Sequence, residues 1–201
     1  PLLAAELVQL KPDVIVASGI KAALAAKAAT ATIPIVLPGT SSDVVGLRLA
    51  ASLRRPGGNV TGSAVFGSEI MAKRLEILKE AVRRIARIAI LWNTANAGYE
   101  SVMQSIKAAA RQLNVEVAFF DVRAAARFEH VLESIVKARM DAVATVPDTL
   151  FTQNAKLIAD FLIRNSLPSV GINWFGERGG LIGYGPDENG MYRRASVYVD
   201  K

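Results

Sequence analysis

The sequence has no cysteine among its 201 residues. That absence removes disulfides, thiol nucleophiles and thiolate metal sites together, and leaves the redox compartment open. Histidine occurs once, as His130 beside Glu129 in a helix-like stretch. Metal sites draw on clustered His, Cys and carboxylates, so a lone His argues against one. No segment approaches the ~20 uninterrupted apolar residues of a membrane-spanning helix. The patterns G-x-G-x-x-G, G-x-x-x-x-G-K-[ST] and G-x-S-x-G are missing as well. With them go the usual sequence marks of dinucleotide binding, phosphate cradles and serine hydrolases. Gly57-Gly58 and Gly179-Gly180 are bare doublets that read as turns. Asp43, Asp121, Asp148 and Asp187 stand on separate loops, and no other residue supports them as an acid/base set. The chain therefore reads as a non-enzyme, with no cofactor and no metal expected.

Aromatic residues are scarce at 6%, yet apolar residues reach 51%, mostly Ala, Val, Ile and Leu. That bias suits parallel strands buried on both faces beneath closely packed helices. The net charge of +6 is spread over helical stretches such as Lys73-Arg74, Arg83-Arg84-Arg87 and Arg193-Arg194. A nucleic-acid footprint gathers its cations into one patch. The scatter reads instead as a solvated basic surface, with no nucleic-acid partner.

The order of elements is more informative. Short apolar runs bounded by turn residues occur at Asp13–Ala17, Ile33–Leu37 and Val60–Val65. Helix-like periodicity occupies Pro1–Leu10, Ile20–Ala29, Val44–Leu53 and Ser68–Arg84. Arg55-Pro56-Gly57-Gly58-Asn59 is a strong breaker cluster. From Ala86 the same alternation restarts, with strands at Ile88–Trp92, Val115–Phe120, Ala142–Val146, Ser169–Ile172 and Leu181–Tyr184. Helices are expected at Asn96–Leu113, Phe128–Ala138, Thr149–Asn165 and Asn189–Asp200. Strands separated by single helices predict parallel sheets covered on both faces. Two such series, split near Val65–Gly67, predict two doubly wound α/β lobes. Ligands bind such sheets at the carboxyl ends of the strands. Those ends carry Ser18, the run from Gly39 to Asp43, Thr61, Asn93, Asp121, Asp148 and Asn173, nearly all small or polar.

Several segments together resemble the ABC-transporter substrate-binding protein family that includes the tryptophan-type binding proteins. They are Pro12–Ala17, Ile33–Val36, Ser42–Gly46, Arg55–Gly62, Arg87–Asn93, Gly179–Asp187 and Tyr192–Ala195. They cover nearly the whole chain in consistent order, and R-P-G-G-N-V-T-G with G-G-L-x-x-Y-G-P is fairly specific as a pair. The resemblance implies a type I periplasmic-binding-protein fold, two parallel-sheet lobes joined by a hinge that close on a small solute. Crossing segments are expected near Val65–Ser68, Ile172–Phe175 and Leu181–Tyr184. The N-terminal lobe would then hold residues 1–65 and 173–183, and the C-terminal lobe 66–172 and 184–201. Family members begin with a signal peptide and a β-α-β unit before the segment matching Pro1, so the N-terminal lobe is expected to be incomplete. No signal peptide is visible in this chain. Where relatives often have Thr-Asp-Pro or Ser-Asp-Pro, this chain has Ser42-Asp43-Val44, which leaves the backbone after Asp43 less restricted.

The implied function is the extracytoplasmic solute-binding component of an ABC transport system, periplasmic or lipid-anchored, a monomer that delivers its ligand to a membrane permease. The alternative is a ligand-sensing domain of a regulator or receptor on the same fold. Ser18 suits a carboxylate through its hydroxyl and the following amides, a simple helix cap being the alternative. Ser41, Ser42 and Asp43 suit polar ligand groups, or equally helix capping. Thr61 stands beside Gly62 at the expected crossing, where a structural turn is the other reading. Phe66 offers an apolar surface. Asn93 both donates and accepts, and Tyr99 offers a stacking wall or a hydroxyl. Asp148 is the best partner for an amino group. Asn173 and Trp174 sit at the expected second crossing, Trp174 as an apolar cover or as hinge packing. Carboxylates and neutral polar groups with few cations favour an amino-acid-like or other amphiphilic solute.

Overall fold

A computed structural model describes residues 2–40, 42–65, 67–96 and 100–200. The described residues alternate between helix and strand and divide into two compact units. One is drawn from Pro1–Phe66, Asn96–Tyr99 and Asp187–Lys201, the other from Gly67–Ala95 and Glu100–Pro186.

The first unit opens with α1 (Leu2–Gln9), β1 (Ile15–Val16), α2 (Ile20–Ala29), β2 (Ile35–Thr40) and β3 (Val60–Ala64). Its three strands run parallel in the order β1-β2-β3. Ile15, Ile35, Leu37 and Val60 from the sheet meet Ile20, Ala23 and Ala26 from α2 in one buried cluster. The alanines let the helix approach closely, so the small-residue bias noted in the sequence becomes short-range packing. Leu2 and Leu3 on α1, and Leu10 just after it, stand largely exposed.

The second unit holds α3 (Gly67–Ala81), β4 (Arg87–Trp92), α4 (Glu100–Gln112), β5 (Glu116–Asp121), α5 (Phe128–Lys137) and β6 (Ala142–Thr145). It continues through α6 (Thr149–Gln153), α7 (Ala155–Arg164), β7 (Ser169–Gly171), α8 (Asn173–Glu177) and β8 (Ile182–Gly183). Its five strands are parallel in the order β5-β4-β6-β7-β8. Ile88, Ala89, Ile90 and Leu91 on β4 are fully buried, as are Ala142, Val143 and Ala144 on β6. A strand covered on both faces reads as an unbroken apolar run, as these do. The chain then returns to the first unit as α9 (Glu188–Val199), which packs on β2 and β3 and buries Ala195.

Two parallel α/β lobes are what the alternation predicts. Three local readings differ. The helix expected over 44–53 is a set of turns, because Asp43 caps one turn and Arg48 then takes a positive φ of 55°, which ends helical propagation. The helix expected over 149–165 is broken at Asn154, whose side-chain amide donates to the Leu150 carbonyl. The lobe boundaries also run otherwise than expected. The resemblance places residues 173–183 in the first lobe and 184–201 in the second. Yet Ile182 pairs with Val170 and Gly183 with Gly171, which fixes β8 in the second sheet, while α9 packs in the first unit. A two-residue strand and a modestly amphipathic helix fit either sheet equally well, so their sequence holds no lobe address.

Candidate functional site

In the second unit the strand order reverses between β4 and β6, where the chain winds away in opposite directions. The carboxyl ends of two strands at such a reversal are the general ligand position of doubly wound sheets. Asn93 follows β4 directly, and Asp148 follows β6 after Val146 and Pro147. The two meet there. Asn93 Nδ2 donates to Asp148 Oδ2 at 3.0 Å, and both residues are buried. Asn93 Oδ1 accepts from the Ala95 amide at 3.0 Å, which orients the side-chain amide. Asp148 Oδ1 accepts from the Leu150 amide at 2.7 Å and so caps α6. A buried carboxylate is costly unless such donors surround it, and an ionised one has room for about four.

Arg74, expected with Lys73 in the solvated basic surface, is instead buried and reaches the same end of β6. It is fully buried on α3, and its Nη1 donates to the Thr145 carbonyl at 3.2 Å. Its Nε donates to the Tyr184 carbonyl at 2.7 Å. The signal was present: Arg74 falls in the apolar stripe of α3 with Met71, Leu75 and Leu78, where a solvated cation does not belong. Asn173 begins α8 and gives both protons of its amide to backbone, one to Gly185 O at 3.1 Å and one to Pro186 O at 2.9 Å. Trp174 is half-buried, with the Arg178 guanidinium 5.1 Å from its ring centroid. The expected crossing at 172–175 is therefore helix and strand of a single unit.

In the first unit Ser18, at the carboxyl end of β1, shares a 2.5 Å hydrogen bond with the Tyr192 hydroxyl of α9. It does not cap α2, whose N-cap is Gly19. Tyr192 is about half-exposed and is the second site residue missed from sequence, although it opens the Tyr192–Ala195 segment of the family pattern. The helix lies close enough at Met191 that a Cβ on Gly39 would sit 2.8 Å from the methionine sulfur. Ser42 is buried, its amide donating to Thr40 Oγ1. Asp43 is exposed, and its Oδ1 accepts from the Val45 and Gly46 amides. Thr61 lies inside β3, paired with Val36, and not at a strand end. It lines a cavity of about 160 Å³ whose other walls, among them Leu37, Val44, Leu49, Leu53 and Pro56, are mainly apolar. Ser41, Phe66 and Tyr99 lie outside the described residues.

The remaining strand-end acid, Asp121 on β5, is engaged elsewhere. Burial pushes its carboxyl up, but the Thr94 amide and hydroxyl and the Arg123 guanidinium outweigh that and hold it below its ordinary value. Among the described residues no group of three or more His, Cys, Asp or Glu is placed to hold a metal ion. No described helix is long and apolar enough to cross a membrane.

The family model described as ABC transporter substrate binding protein matches residues 2–201. The chain belongs to that family. A tyrosine-binding protein of Clostridioides difficile is 27% identical over 168 residues, which are 84% of this chain and 48% of that protein. Among solved structures, the ABC domain from Streptococcus pneumonia in complex with L-Trp superposes with a TM-score of 0.88 at 19% identity. The match covers all of this chain and 68% of that one. A conserved domain protein from Vibrio cholerae gives a TM-score of 0.90 at 25% identity, over 99% of this chain and 66% of its own. The fold is that of the type I periplasmic binding proteins, and the chain spans about half the length of the curated relative it matches.

Proposed function

We propose that this protein is the extracytoplasmic solute-binding component of an ABC transport system, capturing an amino-acid-like or small aromatic solute by hinge closure and delivering it to a membrane permease. The observation that carries the reading is the buried Asn93–Asp148 pair at the strand-order reversal of a family member. A carboxylate held in place by an amide and a backbone N–H is a preset acceptor for an ammonium group, and Asn93 fixes its orientation. The relatives add weight to that choice, one being a tyrosine-binding protein and another having been solved with L-Trp. In the first unit Ser18 and Tyr192 supply hydroxyls and an aromatic face at a strand end. No step in this reading makes or breaks a covalent bond.

The test is a thermal-shift and calorimetric screen of the full-length protein against L-tryptophan, L-tyrosine, benzoate and D-ribose. A ligand at ~100 times its Kd stabilises the folded state by about 2.7 kcal/mol, a readily measured rise in Tm. Saturable binding of an L-amino acid, with none of D-ribose, is the expected result. Binding of the sugar alone would overturn the ligand class, and turnover of any amino acid would overturn the transport role.

A further inference from the structure

We infer that Arg74 and Asn173 are positioning residues that clamp the connection by which the chain leaves the second unit, confining bending there to the Pro186–Asp187 linkage. Three consecutive backbone carbonyls carry the argument. Tyr184 O accepts from Arg74 Nε at 2.7 Å, and Gly185 O and Pro186 O accept from Asn173 Nδ2 at 3.1 and 2.9 Å. Carbonyls of a connecting segment ordinarily turn to water or to a neighbouring strand. Here two side chains of the second unit take all three.

Both clamps are themselves anchored. Arg74 is fully buried on α3, and its Nη1 is fixed by the Thr145 carbonyl and the Met71 sulfur at 3.2 and 3.3 Å. Asn173 stands at the start of α8, directly after β7. The segment threads closely between them, since a Cβ on Gly185 would lie 3.2 Å from Arg74 Nη2 and 3.3 Å from Ile172 Cγ1. The Tyr184 amide adds a bond to the Gly171 carbonyl at 2.9 Å, so the second sheet holds the chain up to this point. On the far side rigidity resumes at once. Asp187 caps α9, its Oδ1 accepting from the Gly190 amide at 3.0 Å. Proline fixes its own φ, and the bond from Asn173 to the Pro186 carbonyl fixes its ψ, which leaves φ of Asp187 as the torsion free to absorb a change. Hinges of this kind are a few residues at element ends, and a single torsion makes a narrow one. A clamp that decides which torsions move also sets the population of closed protein, and hence affinity, without touching ligand. That last step rests on the proposed capture by hinge closure.

The test reads the backbone directly, by ¹⁵N relaxation of the full chain. In the wild type the Gly185 amide should show an order parameter near ~0.85, as in rigid backbone, and in Asn173→Ala it should fall toward ~0.6 or lower. Arg74→Lys should loosen Tyr184 in the same way, because the ammonium cannot donate to Tyr184 O and Thr145 O in the fork geometry of a guanidinium. Gly185→Ala, which displaces the segment from Arg74 without removing a donor, supplies the same comparison should either variant fold poorly. With L-tryptophan as probe, Asn173→Ala should change Kd by about 3- to 30-fold, while the calorimetric stoichiometry stays the same. A flexible Gly185 in the wild type, or an unchanged one in folded Asn173→Ala and Gly185→Ala, would overturn the clamp. Absence of L-tryptophan binding by the wild type would overturn the ligand class alone, because relaxation at Gly185 needs no ligand.

Discussion

Asn93 and Asp148 lie 55 residues apart and meet at 3.0 Å where the second sheet reverses its strand order. Asp148 does two things there: one oxygen caps α6 and the other receives the Asn93 amide. Asp148→Asn separates them. Asparagine caps a helix about as well as aspartate, so the cap survives, while the negative charge is lost. Urea unfolding should show a stability change within about 1 kcal/mol, and calorimetry should show binding of an L-amino acid weakened at least ~30-fold, in line with a lost charge-assisted bond of ~2 kcal/mol. Asp148→Ala should lose binding and stability together, by about 1–3 kcal/mol, since the cap and the partner of buried Asn93 both vanish. Equal binding by wild type and Asp148→Asn would remove the ammonium acceptor from the reading.

The Ser18–Tyr192 hydrogen bond joins the end of β1 to the returning helix α9. Tyr192→Phe keeps the ring and removes the hydroxyl. The contact is exposed, so stability should fall by no more than ~1 kcal/mol. If the ring forms a wall for an aromatic solute, Tyr192→Phe should bind L-tryptophan within about 3-fold of the wild type, and Tyr192→Ala should bind it at least ~10-fold more weakly. Parallel titrations of the two variants decide this, and equal affinities would place the ring outside the binding surface.

What could be read from the residues follows from how local each signal is. Apolar runs bounded by turns marked the buried strands, because a strand such as Ile88–Leu91 must be apolar on both faces. Asp148 and Asn93 were legible because strand ends in a doubly wound sheet are where polar residues gather. Their meeting was not, since it depends on β6 pairing beside β4, a register that no short window contains. Thr61 was misplaced for the opposite reason: the adjoining Gly62 suggested a crossing, yet both residues lie within β3. Arg74 was hidden by composition, one cation among many on helices, although its place in the apolar stripe of α3 set it apart. The assignment of β8 and α9 to their sheets needed the ladders themselves.

Gly62 gives the sharpest stability test. Its φ is 142°, a region that side chains avoid, and a Cβ there would lie only 2.0 Å from the Leu37 carbonyl oxygen of the paired strand. Backbone cannot yield as a flexible side chain does. Gly62→Ala should therefore lower stability by more than the ~1–3 kcal/mol of ordinary overpacking, or break the β2–β3 ladder locally. Hydrogen exchange at Val60–Ala64 should rise while β4 to β8 stay protected. A variant that melts with the wild type would show that β3 can shift aside.

Asp121 sets a pH dependence whose sign is fixed by its surroundings. Its carboxyl is held below the ordinary value because the bonds from Thr94 and Arg123 outweigh the opposing effect of burial. A group depressed in the folded state binds fewer protons there than in the unfolded chain, so its stabilisation is complete above the unfolded value near 3.8 and disappears as pH falls through the lower folded one. The residue is largely exposed, which limits the effect to below about 1 kcal/mol. Asp121→Asn should be slightly less stable than the wild type at pH 7, and the two curves should converge as pH falls through the lowered folded value. Unfolding by urea across pH 2–7 measures the difference directly. Curves that ran parallel throughout would mean that the hold of Thr94 and Arg123 on this carboxylate contributes nothing to folding.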